Sequence, residues 1–500
     1  MAAIRSNIKK REVIMLPRTS RRQFLRASTA VTAGAALTGG LSISQSAYAA
    51  GSDMMKVALV ACGGRGQGAL RNRIQVGDNV KVVAVADAFI RAARNAANSI
   101  RNDGNNAESS LYQKVDLPDE RVFGGLDSYR RAIECLDSGD TIILASPPGF
   151  RPYQYRAAVE KGLHVFMEKP VCIDAPGFRH FMETNKMADE KNLKICVGYC
   201  YRYDANFVNW IAQIHAGKIG DVQCTRGYYN TGGVWCRNRF PGEGELEFQT
   251  RNWYHFVWTC GENIVEQHCH RIDVCNWIHS KGDVMAHPIE AQGMGGRLVK
   301  TGPEELVRQA PPFSDRAAWD EWYRQHTREL HRHGQTWDSF FVEYVYADGS
   351  RHYTQCRHIR NVWNHNDDYV HGTLGSGTGG VSGPTVLSDS AGQEIWRNTE
   401  RFPKGMYDWE HDVHVKAIRE DLPMNDGYFG AMSSMMAVLG REAAYSGKLI
   451  QWDDLVERGR SYFPDGEITS FEQMPPVQPD ADGFYESSVP VPGVYDPFVG

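Results

Sequence analysis

Lys56-Val57-Ala58-Leu59-Val60 runs without a break into a glycine-rich turn, Ala61-Cys62-Gly63-Gly64-Arg65-Gly66-Gln67-Gly68. An apolar run with no polar position past its first residue predicts a strand buried on both faces, as central parallel strands are. The turn predicts the start of a helix. Gly63 lets the backbone come close to a pyrophosphate, Gly66 lets the helix lie against the strand, and free amides at the helix start face the anion. Ala61 replaces the first glycine of the usual pattern, so the match is Ala-x-Gly-x-x-Gly, and alone it decides little.

The following segments add weight. Val80 to Ala86 is a second apolar strand ending in Asp87, which lies 21 residues beyond Gly66. A carboxylate at that offset accepts from both ribose hydroxyls and repels a 2′-phosphate, so NAD is favoured over NADP, with nearby Arg91 moderating the preference. Asn95 to Pro118 is polar and irregular and reads as an insertion or a frayed helix, and Ser128 to Leu136 reads as helix. Thr141 to Ala145 is a third strand, followed by Ser146-Pro147-Pro148, and Tyr153 to Lys161 is helical. His164-Val165-Phe166-Met167 is a fourth strand, closed by Glu168-Lys169-Pro170. Strands alternating with helices at this spacing imply a parallel sheet, whose carboxyl edge is where ligands bind. A lysine beside a glutamate at that edge can be tuned as an acid or base, although a surface Glu-Lys pair would read the same.

At 500 residues, 42% hydrophobic and 23% charged, the chain has room for two or more domains. Near its start, Ser20-Arg21-Arg22-Gln23-Phe24-Leu25-Arg26 precedes an Ala/Gly/Thr-rich stretch from Ala27 to Leu41, and Ala47-Tyr48-Ala49 offers a cleavage site. The twin arginine resembles a Tat export signal, cleaved after Ala49, which would make the protein periplasmic or otherwise exported. The apolar run is short and glycine-rich for an anchor, so no stable membrane attachment is expected. The first 49 residues carry eight Lys/Arg against one Glu, so a net charge of −5 becomes about −12 without them. That balance argues against nucleic acid as a partner. Eleven cysteines with irregular spacing and no Cys-x-x-Cys pair do not form a disulfide framework.

The glycine-rich turn, Asp87, the Ala-Ser-Pro-Pro strand end and Glu168-Lys169-Pro170 together resemble the Gfo/Idh/MocA oxidoreductases, the family of glucose–fructose oxidoreductase and inositol dehydrogenase. The resemblance runs from about Lys56 to Asp454. It implies an α/β chain: an N-terminal Rossmann dinucleotide-binding domain, then a C-terminal α+β domain with a mostly antiparallel open sheet. The expected boundaries are 1–49 for the signal, 50–175 for the Rossmann domain, 176–470 for the second domain and 471–500 for an extended tail. Lys169 is implied to reach both substrate and nicotinamide. Cys62, Gly63, Gly64, Arg65, Gly66, Asp87, Ser146, Pro147, Glu168 and Arg202 are the further cofactor-binding candidates, Arg202 having the capping of the next helix as an equal alternative.

The second chemical stretch runs from Gly261 to Asp273 and on to Trp277. Its buried-type residues follow a helical pattern that puts Glu266 and His270 one turn apart on a shared face. The family's motif here is an acid, three residues and a histidine. By the resemblance His270 is the acid/base candidate, and Glu266, where aspartate is commoner, either touches substrate or orients His270. His268, Cys269 and His270 point in different directions on a helix, so no metal site is expected. Trp235 to Arg251 reads as a loop near the substrate, with an ordinary surface loop as its rival. His411 and His414 have structural and substrate roles equally open.

The expected activity is NAD-dependent oxidation of a sugar or polyol hydroxyl, with Glu168 orienting Lys169 and a bound nicotinamide lowering the pKa of Lys169. An exported enzyme would keep and recycle its cofactor. The alternatives are a NAD-dependent glycoside hydrolase working by transient oxidation and elimination, and a non-catalytic sugar-binding protein. The expected partners are a sugar or glycoside and further copies of the chain, as dimer or tetramer.

Overall fold

The computed structural model describes residues 54–499, apart from 78, 238–241, 298–313, 315–316, 319–320, 323–333, 382, 465 and 482–484. The twin-arginine stretch and its expected cleavage site lie outside the described residues.

The first half builds a six-stranded sheet in chain order: β1 (Met55–Val60), α1 (Gly64–Ile74), β2 (Val80–Asp87), α2 (Ile90–Asn105), β3 (Val122–Gly124), α3 (Ser128–Glu134), β4 (Thr141–Leu144), α4 (Arg151–Lys161), β5 (His164–Met167), α5 (Ala175–Glu190) and β6 (Ile195–Val197). The spatial order is β3-β2-β1-β4-β5-β6 and every pairing is parallel. The chain reverses direction across the sheet between β1 and β4. That opens a crevice beyond their carboxyl ends, where the glycine turn and Ser146-Pro147 lie. The sheet runs past 175, the expected domain boundary, to β6. Asn95 to Asn105, open between an insertion and a frayed helix in the sequence, continues α2. Ala93, Ala96, Ala97 and Ile100 are buried at helical spacing along α2, and the polar positions between them face water.

The second half begins with α6 (Ala205–His215), whose first turn is capped by Asp204, and β7 (Val222–Thr231). Then come α7 (Glu245–Arg251), α8 (Val257–Cys260), α9 (Asn263–Glu266) and α10 (Cys269–Ser280). The remaining strands are β8 (Glu290–Gly296), β9 (Ser339–Val345), β10 (Arg351–His358), β11 (Asp367–Gly372), β12 (Gly375–Gly380), β13 (Val386–Asp389), β14 (Glu394–Arg397) and β15 (Ile450–Gln451). Between the last two strands run α11 (Met406–Arg419) and α12 (Gly427–Ser446), and α13 (Trp452–Arg458) closes the set. The nine-stranded sheet, in order β14-β13-β12-β11-β7-β10-β9-β8-β15, is antiparallel except where β7 pairs with β10. Strict alternation along β9 and β10 buries Phe340, Val342, Tyr344, Thr354 and Cys356 on one face.

Helix α12 joins the two sheets. It touches α5 and β6 on one side and β8, β9 and α10 on the other, so it is buried along nearly its whole length, with the Arg441–Glu442 ion pair enclosed among mostly apolar residues. Among the described residues no helix is long and apolar enough to cross a membrane.

Candidate functional site

Ala61 has φ +72°, a left-handed conformation that the missing glycine would adopt without strain. The turn therefore keeps the glycine geometry with an alanine in it. Ala61→Gly is expected to raise stability by about 0.5–1 kcal/mol, read by urea unfolding, because relief of that strain exceeds the added freedom of the unfolded chain. At Gly66 a side chain is barred: a Cβ there would stand 2.1 Å from the Ala61 carbonyl oxygen. At Gly63 and Gly64 the corresponding space is open, so the turn presents bare backbone to the crevice.

That crevice is a cavity of about 360 Å³. Gly63, Gly64, Arg65, Gly66, Asp87, Ser146 and Pro147 all line it. The Asp87 carboxylate accepts from the Cys62 amide at 2.8 Å and the Phe89 amide at 2.9 Å, which fixes it at the end of β2. Burial raises its pKa, and these two hydrogen bonds work against that rise. Cys62 contributes its amide; its thiol turns to the Ala86 carbonyl and is buried. Open backbone at a helix start, with an acid at the end of the neighbouring strand, fits a dinucleotide.

The charged edge of β5 lies beside it. Lys169 Nζ donates to the Glu266 carbonyl oxygen at 2.6 Å and lies 3.3 Å from Glu266 Oε1. The carbonyl carries no helical backbone bond because the expected single helix is broken, and the Cys269 thiol also donates to it at 3.4 Å. The amides of Gln267 and His268 both reach Asn263 O, at 3.0 and 3.1 Å, and the chain restarts as α10. A residue is thereby gained between α9 and α10, a feature common at functional sites, and Glu266 and His270 do not share a continuous helical face. The Glu266 carboxylate also accepts from Tyr254 Oη. Glu266 thus positions Lys169, and no hydrogen bond joins it to His270.

One further expectation changes. Glu168 does not orient Lys169; its carboxylate takes the Arg65 guanidinium at 2.5 Å, and Arg65 also reaches Glu410 of α11 at 3.2 Å. Burial would lower the Lys169 pKa, but the carboxylates of Glu266 and Glu168 outweigh it, so the protein's own groups hold the ammonium above the usual lysine range. Glu410 is wholly buried. Burial first, and the facing Glu168 second, push its carboxyl well up.

His270 lies between the rings of Tyr199 and Tyr201, with Nδ1 buried and lacking a hydrogen-bond partner among the described residues. Burial, then the charges of Lys169, Arg271 and Arg65, hold the imidazole well below its usual pKa, so it is neutral. Arg202 is drawn elsewhere. It forms a bidentate pair with Asp273 at 2.9 Å and stacks on Phe429, away from the cavity lining. His268 is a core residue bonded to Thr354. His414 bridges Arg73 and the Lys194 carbonyl, and His411 packs on Phe166, so both belong to the seam between α11 and the first sheet.

Several residues here carry no local signal. Arg151, fully buried and lowered by that burial to about 10, donates to the carbonyls of Ser146, Glu168 and Pro170, and so locks the ends of β4 and β5 together. Trp235, Arg237, Thr250, Arg251 and Trp253 bring the second domain to the nucleotide cavity; the stretch read as a substrate loop borders this cavity and includes α7.

Residues 55–199 match the GFO_IDH_MocA model, described as "Oxidoreductase family, NAD-binding Rossmann fold". The first sheet is thus a NAD-binding Rossmann fold. Inositol 2-dehydrogenase of Corynebacterium glutamicum is 23% identical over 163 residues, covering 33% of this chain and 41% of the relative. Inositol 2-dehydrogenase/D-chiro-inositol 3-dehydrogenase of Halalkalibacterium halodurans is 25% identical over 198 residues, 40% of this chain and 45% of the relative. The matches span less than half of either relative. Among solved structures, levoglucosan dehydrogenase in complex with NADH and levoglucosan has a TM-score of 0.56 at 14% identity, over 79% of this chain and 99% of that one. Aldose-aldose oxidoreductase from Caulobacter crescentus, complexed with glycerol, gives 0.55 at 13% identity, over 80% and 99%. At these identities the likeness is one of fold, and it extends over both sheets.

Proposed function

We propose that the protein is a NAD-dependent oxidoreductase acting on a hydroxyl of a sugar or polyol. The observation that carries this is the Lys169 ammonium, fixed by Glu266 at the carboxyl edge of β5 and sharing its electrostatic surroundings with the neutral His270. Gly63 to Gly66 and Asp87 would hold the nucleotide, which when bound supplies the acceptor for hydride leaving a carbinol carbon. The chain's own residues handle the proton. Lys169, kept charged, donates a hydrogen bond to the substrate oxygen and stabilises negative charge as it grows there. The neutral imidazole of His270 takes the hydroxyl proton. Glu266, with Tyr254, keeps the amine in place.

The reading extends to export through the twin arginine at Arg21-Arg22. A compartment without a nicotinamide pool requires the cofactor to stay bound and be restored on the protein. Dismutation between two sugars does this, and so does oxidation, elimination, hydration and re-reduction of a glycoside. Protein purified without added cofactor is therefore expected to carry NAD near one equivalent per chain by mass spectrometry. It should also turn over members of a sugar and aryl-glycoside panel with none supplied. Protein free of nucleotide that works only with added NAD would contradict the retained cofactor.

A further inference from the structure

Arg237 is the unusual residue of the nucleotide cavity. It comes from the second domain, yet it lines the same cavity as Asp87. Its backbone is fixed from both sides by one buried amide: Asn252 Oδ1 accepts from the Arg237 amide at 2.7 Å, and Asn252 Nδ2 donates to the Arg237 carbonyl at 3.0 Å. The indole of Trp235 supports the guanidinium from below, 4.7 Å from its centre, and the Trp235 carbonyl is bonded to His255 at 2.8 Å. Neighbouring Arg251 is neutralised by Glu243 at 2.6 Å, whereas the Arg237 guanidinium has neither hydrogen bond nor ion pair among the described residues. An exposed planar cation is thus supported on Trp235 and left unpaired in the cavity that holds the acid expected to take a ribose.

Resting on the functional reading above, we propose that Arg237 is a cofactor-binding residue that covers the adenosine end of the dinucleotide. Its flat guanidinium stacks on the purine, and Asp87 holds the ribose beneath. The adenosine is then gripped between elements of both domains, which supplies the slow release that a retained cofactor needs.

The test follows exchange of bound NAD for isotopically labelled NAD in the full chain, with affinities for AMP and nicotinamide mononucleotide as probes of the two ends. Arg237→Ala is expected to speed exchange and weaken AMP by about tenfold or more, leaving nicotinamide mononucleotide unchanged. Arg237→Lys, which keeps the charge and loses the plane, falls between, and Trp235→Ala moves the same way. Exchange equal to wild type in Arg237→Ala, or equal weakening of both mononucleotides, overturns the inference. A loss confined to NADP also overturns it, since the guanidinium would then be reading a phosphate on the ribose. A wild type that binds neither NAD nor AMP overturns the functional reading along with it.

Discussion

Lys169→Met is expected to lower turnover roughly 10²- to 10⁴-fold while NAD binding, measured by calorimetry, changes little. Methionine fills the space of the lysine stem but offers no donor to the substrate oxygen or to the Glu266 carbonyl. It also leaves the Glu266 carboxylate buried without its cation. Glu266 already has its pKa raised, burial being the larger cause and Lys169 the main group opposing it. Removing Lys169 raises it further. A folded-state pKa above the unfolded value means that the folded protein binds the proton more tightly. The variant is then most stable below the unfolded carboxyl pKa and loses stability as pH rises toward the new folded value. Wild type, with the pair intact, shows a smaller dependence of this kind. The double variant Lys169→Met/Glu266→Gln should recover stability at neutral pH and remain inactive. Recovery of both would remove Lys169 from the chemistry.

The second large effect is on α10, the helix that carries His270. The neighbouring Arg271 is fully buried, and its guanidinium meets Asp368 of β11, Asn366 Oδ1 at 2.8 Å and Asn366 O at 2.7 Å. Both partners of the ion pair have no exposed side-chain surface. Asp368→Asn leaves an arginine cation inside the protein without its bonded carboxylate, expected to cost about 3–5 kcal/mol in chemical unfolding. Activity should fall with it, because the same pair seats α10, and with it His270, against the sheet. Replacing both partners with apolar residues of similar volume should restore much of the stability. A single variant within 1 kcal/mol of wild type would show that the pair does not anchor α10.

The sequence made legible whatever depends on neighbours a few residues apart. The apolar runs of β1, β2, β4 and β5, the glycine turn and Asp87 at the end of its strand all follow from local periodicity and turn chemistry. Polar composition left Asn95 to Asn105 open between an insertion and a frayed helix, and the burial of Ala96, Ala97 and Ile100 decides for helix. The site was legible as residue types and not as pairings. Nothing near Arg65 indicates that it reaches Glu168 and, 345 residues onward, Glu410. Nothing near Glu266 shows that the helix gains a residue after it and that its carbonyl serves Lys169. Asn252 and Arg237, 15 residues apart, reveal their bond only once the chain has turned back on itself. Arg202 misled for the same reason in reverse, since its partner Asp273 sits 71 residues away.

The most direct measurement mixes nucleotide-loaded protein with a polyol deuterated at its carbinol carbons and examines the nicotinamide by mass spectrometry. Deuterium is expected on the bound nicotinamide in wild type and almost none in Lys169→Met at equal nucleotide occupancy. Deuterium transfer at the same rate in both proteins, or in neither while the panel substrates are turned over, would contradict that expectation.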